Sequence, residues 1–361
     1  MTVADTSRVA TIPAARPIAG WLFACCALIF AMVVIGGITR LTESGLSIAE
    51  WQPLTGAFPP LSQAEWERLF ALYRQIPQYQ LVNHGIDLAA FKAIFWWEYV
   101  HRLWARMIGL ALVLPLVAFW IGGRIPRRLL PRLLLLVGIY ALEAPLGWFM
   151  VQSGLADRID VSQYRLSAHL ALALVLYVAT LWTALSLLRP VPADLPPSAA
   201  GIRRHLAVLA GLVVLTMTMG GFVAGLRAGF IYNSFPLMGG QLLPDDALVV
   251  SPAWLNLFET PAFAQFVHRW LAIATLATAL LLWARSRRVP LPPLARYPLD
   301  LLAAMALLQV ALGIATLLLV VPIPLAAAHQ AGAVLLLTLT VLALHRLRPP
   351  RTPFYNPGAA G

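Results

Sequence analysis

Glu98-Tyr99-Val100-His101-Arg102 opens one long apolar run, and Gln265-Phe266-Val267-His268-Arg269 opens another. A run of about 20 apolar residues matches the length of a helix that crosses a bilayer, whose hydrocarbon core is roughly 30 Å thick. No water is available there to satisfy backbone N–H and C=O groups, so the segment pairs them internally as a helix. Two copies of one phrase also predict a duplicated unit.

Working outward, eight runs have this character, near residues 18–38, 94–121, 129–151, 166–188, 205–226, 263–283, 299–321 and 323–345. With 60% hydrophobic and only 11% charged residues in 361, the chain lacks the polar surface of a water-soluble fold. The expectation is an all-α polytopic membrane protein with eight transmembrane helices arranged as two pseudo-symmetric four-helix bundles. Basic residues gather at one set of ends: Arg8 and Arg16, Arg124 to Arg132, Arg189 to Arg204, Arg285 to Arg296, and Arg346 to Arg351. The positive-inside rule therefore puts both termini in the cytoplasm of a bacterial inner membrane. The net charge of +11 is a topology signal that also suits anionic lipid, and it gives no reason to invoke nucleic acid.

Residues 1–17 read as a cytoplasmic tail rather than a cleaved leader, because the first apolar run is long enough to span. Residues 18–188 form the first repeat, 189–204 a proline-rich cytoplasmic linker, 205–345 the second repeat and 346–361 a second tail. Gly36-Gly37 then corresponds to Gly220-Gly221, Leu146-Gly147 to Leu312-Gly313, and His169 to His329. Repeats in the same orientation are related by an axis along the membrane normal. Residues 39–93 are expected outside as an ordered cap, with Trp66, Leu69, Phe70 and Tyr73 on one helical face. That cap either anchors at the membrane surface or roofs a site. Cys25 and Cys26 are adjacent in the first helix, where their side chains diverge, so both read as packing residues.

His101, His169, His268 and His329 all fall near the external ends of even-numbered spanning helices. A single such histidine can simply bond a neighbouring helix. Four at equivalent depth, two per repeat, can instead supply both axial positions of a haem iron in each half. His84, His205 and His345 read as solvated or interfacial. Arg102, Arg106, Arg165, Arg227 and Arg269 lie on the same side as the imidazoles, where they either pair with haem propionates or snorkel to headgroups. Glu98 lies one turn from His101 on the same face. An intramembrane carboxylate is costly unless paired or used, so it is a functional candidate; pairing with Arg102 is the alternative. In the second half Gln265 takes its place, keeping shape but losing the charge. Glu143 is a second buried acid without an obvious role.

Five stretches together resemble the haem A synthase family: Gly36-Gly37-Ile38-Thr39-Arg40-Leu41-Thr42-Glu43-Ser44-Gly45-Leu46-Ser47, Phe95-Trp96-Trp97 with the first phrase, Gly221-Phe222-Val223-Ala224-Gly225-Leu226-Arg227-Ala228-Gly229, Tyr232-Asn233-Ser234-Phe235-Pro236-Leu237-Met238, and the second phrase. The resemblance runs from Gly36 to about Gly332. It implies a membrane oxidoreductase that converts a methyl group of haem O to the formyl group of haem A by successive hydroxylation, for terminal oxidase assembly. It further implies that His101 and His169 flank the substrate haem, that His268 and His329 ligate a haem b cofactor, and that Glu98 is catalytic. Haem O synthase and terminal oxidase assembly factors are the implied protein partners. No cysteine occurs between Thr39 and Ala93, so the chain resembles the cysteine-free proteobacterial and mitochondrial branch. Glu143 stands where glutamine is expected, and Gly239 where aspartate often follows Pro-Leu-Met. The rival reading is a bis-histidine haem b cytochrome that carries electrons without modifying haem.

Overall fold

A computed structural model of the chain describes residues 15–52, 55–156, 158–188 and 195–349. Most of the expected tails, the first part of the linker and Pro53 lie outside the described residues, as do Arg8, Arg189 and Arg351. Among the described residues, eight helices are long and apolar enough to cross a membrane: α1 (Ala15–Leu41), α4 (Leu88–Ile121), α5 (Leu130–Leu155), α6 (Gln163–Leu188), α7 (Ala199–Gly225), α9 (Pro261–Ser286), α10 (Pro293–Leu318) and α11 (Ile323–Arg346). Three short helices lie between them: α2 (Gln63–Tyr73), α3 (Pro77–Leu81) and α8 (Asn256–Glu259). There is no strand among the described residues, and leucines such as Leu110, Leu114, Leu134 and Leu135 are exposed on helix flanks, where lipid covers them. The chain is a multi-pass, all-α membrane protein.

Helix ends move where polar caps rather than apolar runs decide them. α4 starts six residues before the expected 94 because the Asp87 side chain accepts the Ala90 N–H at 2.8 Å. α10 starts at Pro293, which needs no N–H partner in a first turn, and ends at Leu318, before Val320 and Val321 turn to φ of 58° and 59°.

α1 packs on α4 and α6, and α5 on α6 and α4; likewise α7 packs on α9 and α11, and α10 on α11 and α9. Across the two sets, α1 meets α11 and α7 meets α6. Glycines make both crossings close. A Cβ on Gly37 would strike the Gln330 side chain of α11, and one on Gly221 would sit 2.9 Å from Ser167 Oγ of α6.

The external segment is ordered. Ser62 caps α2 by accepting the Glu65 N–H at 3.2 Å, and Trp66 and Tyr73 are buried against Phe91, Phe95 and Tyr99. Trp66 meets Phe95 at 4.8 Å between ring centroids. Trp66 is buried, whereas Trp51 of the same segment and Trp96 and Trp97 of α4 are exposed. His84 is exposed, as expected. His345 is not interfacial. It is fully buried, with Nε2 3.3 Å from Ser186 Oγ and its ring edge-on to Trp182, because α6 and α11 pack together at this end. His205 is half-buried.

Candidate functional site

Each of the four histidines is seated against a glycine of a neighbouring helix. An added Cβ on Gly36 would lie 3.3 Å from His101 Nε2; on Gly147, 3.3 Å from His169 Cε1; on Gly220, 3.3 Å from His268 Cε1; on Gly313, 2.8 Å from His329 Cε1. The glycines that serve as register marks in the sequence are thus the cradles of the rings. His268 Nδ1 lies 3.1 Å from the Thr216 carbonyl, an arrangement that puts the proton on Nδ1 and leaves Nε2 for a metal.

This donor set fits haem. Two imidazoles can complete an iron whose other four positions a porphyrin fills. Among the described residues no group of three or more His, Cys, Asp or Glu side chains gathers to form a protein-only shell.

Glu98 is buried and fully bonded. Its Oε2 accepts from Ser47 Oγ and the Ile48 N–H, each at 2.8 Å, and its Oε1 accepts from Arg102 Nε at 3.0 Å and Nη2 at 2.7 Å. Arg102 continues to the Glu50 and Ile48 carbonyls at 2.9 and 2.7 Å. The pair staples α4 to the segment that follows α1.

Gln265 and Arg269 make the corresponding staple in the second half. Gln265 Oε1 accepts from Arg269 Nη2 at 2.9 Å, and its Nε2 donates to the Ala228 and Ile231 carbonyls, both at 2.7 Å. Arg269 reaches the Tyr232 and Ser234 carbonyls at 2.7 and 2.8 Å. The acid-for-amide exchange therefore matches the loops: the first presents donors, the second acceptors. Sequence reading missed this because main-chain polarity in a loop leaves no residue signature.

The other arginines have varied partners. Arg106 donates to the Gln52 carbonyl at 2.7 Å, and Arg165 lies over the Phe149 ring. Arg227 is held by Asp160 at 2.6 Å and Glu43 at 2.8 Å, joining the two sets of helices, and the bonded Asp160 pushes its guanidinium above the ordinary arginine value. Arg40 meets the same Asp160 at 3.3 Å. Glu143 lies 2.6 Å from His169 Nδ1.

A family model described as cytochrome oxidase assembly protein, COX15-CtaA, matches residues 19–341. The chain belongs to this family. A "Heme A synthase" of Rhodospirillum centenum is 51% identical over 350 residues, 97% of this chain and 93% of that protein. A "Heme A synthase" of Nitrosospira multiformis is 50% identical over 337 residues, 92% and 94% of the two chains. "Heme A synthase COX15" of Homo sapiens is 46% identical over 343 residues, 93% of this chain and 83% of that protein. The COX15-CtaA match encloses all four histidines and both staples.

Gln265→Glu in this COX15-CtaA chain is expected to place a buried carboxylate against the Ala228 and Ile231 carbonyls. Arg269 offsets part of the charge, and the remaining repulsion and lost donors cost about 2–4 kcal/mol. A lowered melting midpoint of the purified protein checks this.

Proposed function

We propose that the chain is a haem A synthase: it oxidises a methyl group of haem O to the formyl group of haem A by successive hydroxylation. His101 and His169 hold the substrate haem, and His268 and His329 hold a resident haem b. The observation that carries this reading is the twofold recurrence of paired histidines on glycine seats, with a carboxylate staple beside one pair and an amide beside the other. The same recurrence, with the repeated packing order of the helices, supports two pseudo-symmetric four-helix bundles.

Haem b, when bound, supplies one-electron transfer. The chain's own residues do the rest. Glu98, with its lone pairs occupied by four donors, acts as a fixed negative charge beside the substrate ligand rather than as a mobile base. Its partner Arg102 is neutralised by it; Arg106 and Arg165, on the same side, would be first-half cations for propionates. Arg269 pairs with a neutral amide, so it would be the second-half cation for a haem propionate; Arg227 instead serves the joint between the halves. The cap segment stapled by Arg102 limits water near the reacting methyl. The termini lie in the cytoplasm of a bacterial inner membrane, with the haem ligands toward the outer side. Haem O synthase upstream and a terminal oxidase assembly factor downstream are the fitting partners.

Pigment extraction from the purified protein tests the reading. Haem b accompanied by haem O, haem A or a hydroxylated intermediate is expected; haem b alone would favour an electron-carrying cytochrome.

A further inference from the structure

The two halves differ at a second place, behind the ligands rather than beside them. Glu143 of α5 lies four residues before Gly147, and Gln309 of α10 four before Gly313, so each shares a helix face with the seat of a histidine. Glu143 Oε2 is 2.6 Å from His169 Nδ1, with only 12% of the acid's side chain exposed. Gln309 Nε2 is 3.1 Å from His329 Nδ1 and also donates to the His329 carbonyl at 2.8 Å. One ligand is backed by a carboxylate and the other by a neutral amide.

Neither oxygen of the Glu143 carboxylate makes a hydrogen bond among the described residues, and His169 Nδ1 makes none in line with them, although the two groups are at ion-pair distance. A buried carboxylate without donors is costly. A ring turned so that Nδ1–H points at Oε2 is in the orientation that frees Nε2 for iron. A carboxylate behind a ligating imidazole strengthens it as a donor, and the added negative charge favours ferric over ferrous iron.

We propose that Glu143 is a positioning and tuning residue that holds the His169 ring and lowers the reduction potential of the first-half haem below that of the second. This rests on the reading of His169 and His329 as haem ligands. With Glu98 charged beside the first pair as well, both exchanges between halves act in one direction. An electron lost by first-site ferrous iron is taken up by second-site ferric iron, so the oxidised substrate site is the favoured product of the exchange.

The test is a spectroelectrochemical titration of the haem-loaded, detergent-purified protein, with each site isolated by alanine at one ligand of the other. Glu143→Gln is tolerable because Gln309 occupies the equivalent place. It is expected to keep its haem while shifting the first-site ferric/ferrous equilibrium at least tenfold toward ferrous, which is about 59 mV upward for a one-electron couple. Gln309→Glu is expected to move the second site downward. A first-site midpoint unchanged in Glu143→Gln, with haem still dependent on His169, overturns the role of Glu143 alone. First-site haem retained in His169→Ala overturns the ligand assignment together with it.

Discussion

Glu98→Gln is expected to lower haem A formation by about 10²-fold or more while the second-half haem stays bound. The substitution keeps the side chain's shape and removes a negative charge one helical turn from His101. It also turns an amide N–H2 toward either the Ile48 N–H or the Arg102 guanidinium, both donors, so one buried donor loses its acceptor. That adds about 1–3 kcal/mol of instability, which heating the purified variant would record. Charge and structure are separable through Ser47→Ala, which removes one bond to Oε2 and leaves the carboxylate. Its haem A output is expected to fall far less. Equal losses in the two variants would mean that the staple, and not the charge, is what turnover needs.

The second large effect is expected from Gly313→Ala. The new methyl group would lie 2.8 Å from His329 Cε1, closer than carbon atoms approach without something moving, so the ring leaves its seat. Haem bound per chain, measured optically, is expected to drop at the second site with an affinity at least about tenfold weaker, in the range that disturbed ligand positioning produces. Gly36→Ala is the internal comparison. Its methyl would stop 3.3 Å from His101 Nε2, a distance that a small shift relieves, so first-site occupancy is expected to suffer less.

Much of this architecture is readable from residues because membrane helices announce themselves by length and apolarity, and a duplicated phrase gives its own alignment. Tyr73 on its helical face and the ordered cap follow from periodicity in the same way. What periodicity cannot reach is polarity in the main chain. The exchange of Glu98 for Gln265 reads in sequence as chemistry alone, whereas Ile48 N–H in one loop and the Ala228 and Ile231 carbonyls in the other show that it is also complementarity. Arg227 looks like a cation for a bound group until its partners, Asp160 and Glu43, arrive from 67 and 184 positions earlier in the chain, as 227 − 160 and 227 − 43 show. His345 misleads for a related reason: a histidine beside arginines at a helix end suggests water, but the packing of α6 on α11 decides otherwise.

The Glu43–Arg227 bridge has one more implication. Counted from the aligned glycines, 36 and 220, both residues stand seven positions on, and both take the left-handed conformation, at φ of 55° and 53°. In the proposed arrangement of two repeats, equivalent positions would touch only at the axis that relates them, where in a dimer of identical subunits a residue would meet its own copy. Two glutamates or two arginines there would repel. Opposite charges at that spot are possible only once the two units carry different sequences, so the bridge makes each half complementary to the other and a poor match for itself. In the two-bundle arrangement proposed above it would be a lock against like-with-like pairing of the halves.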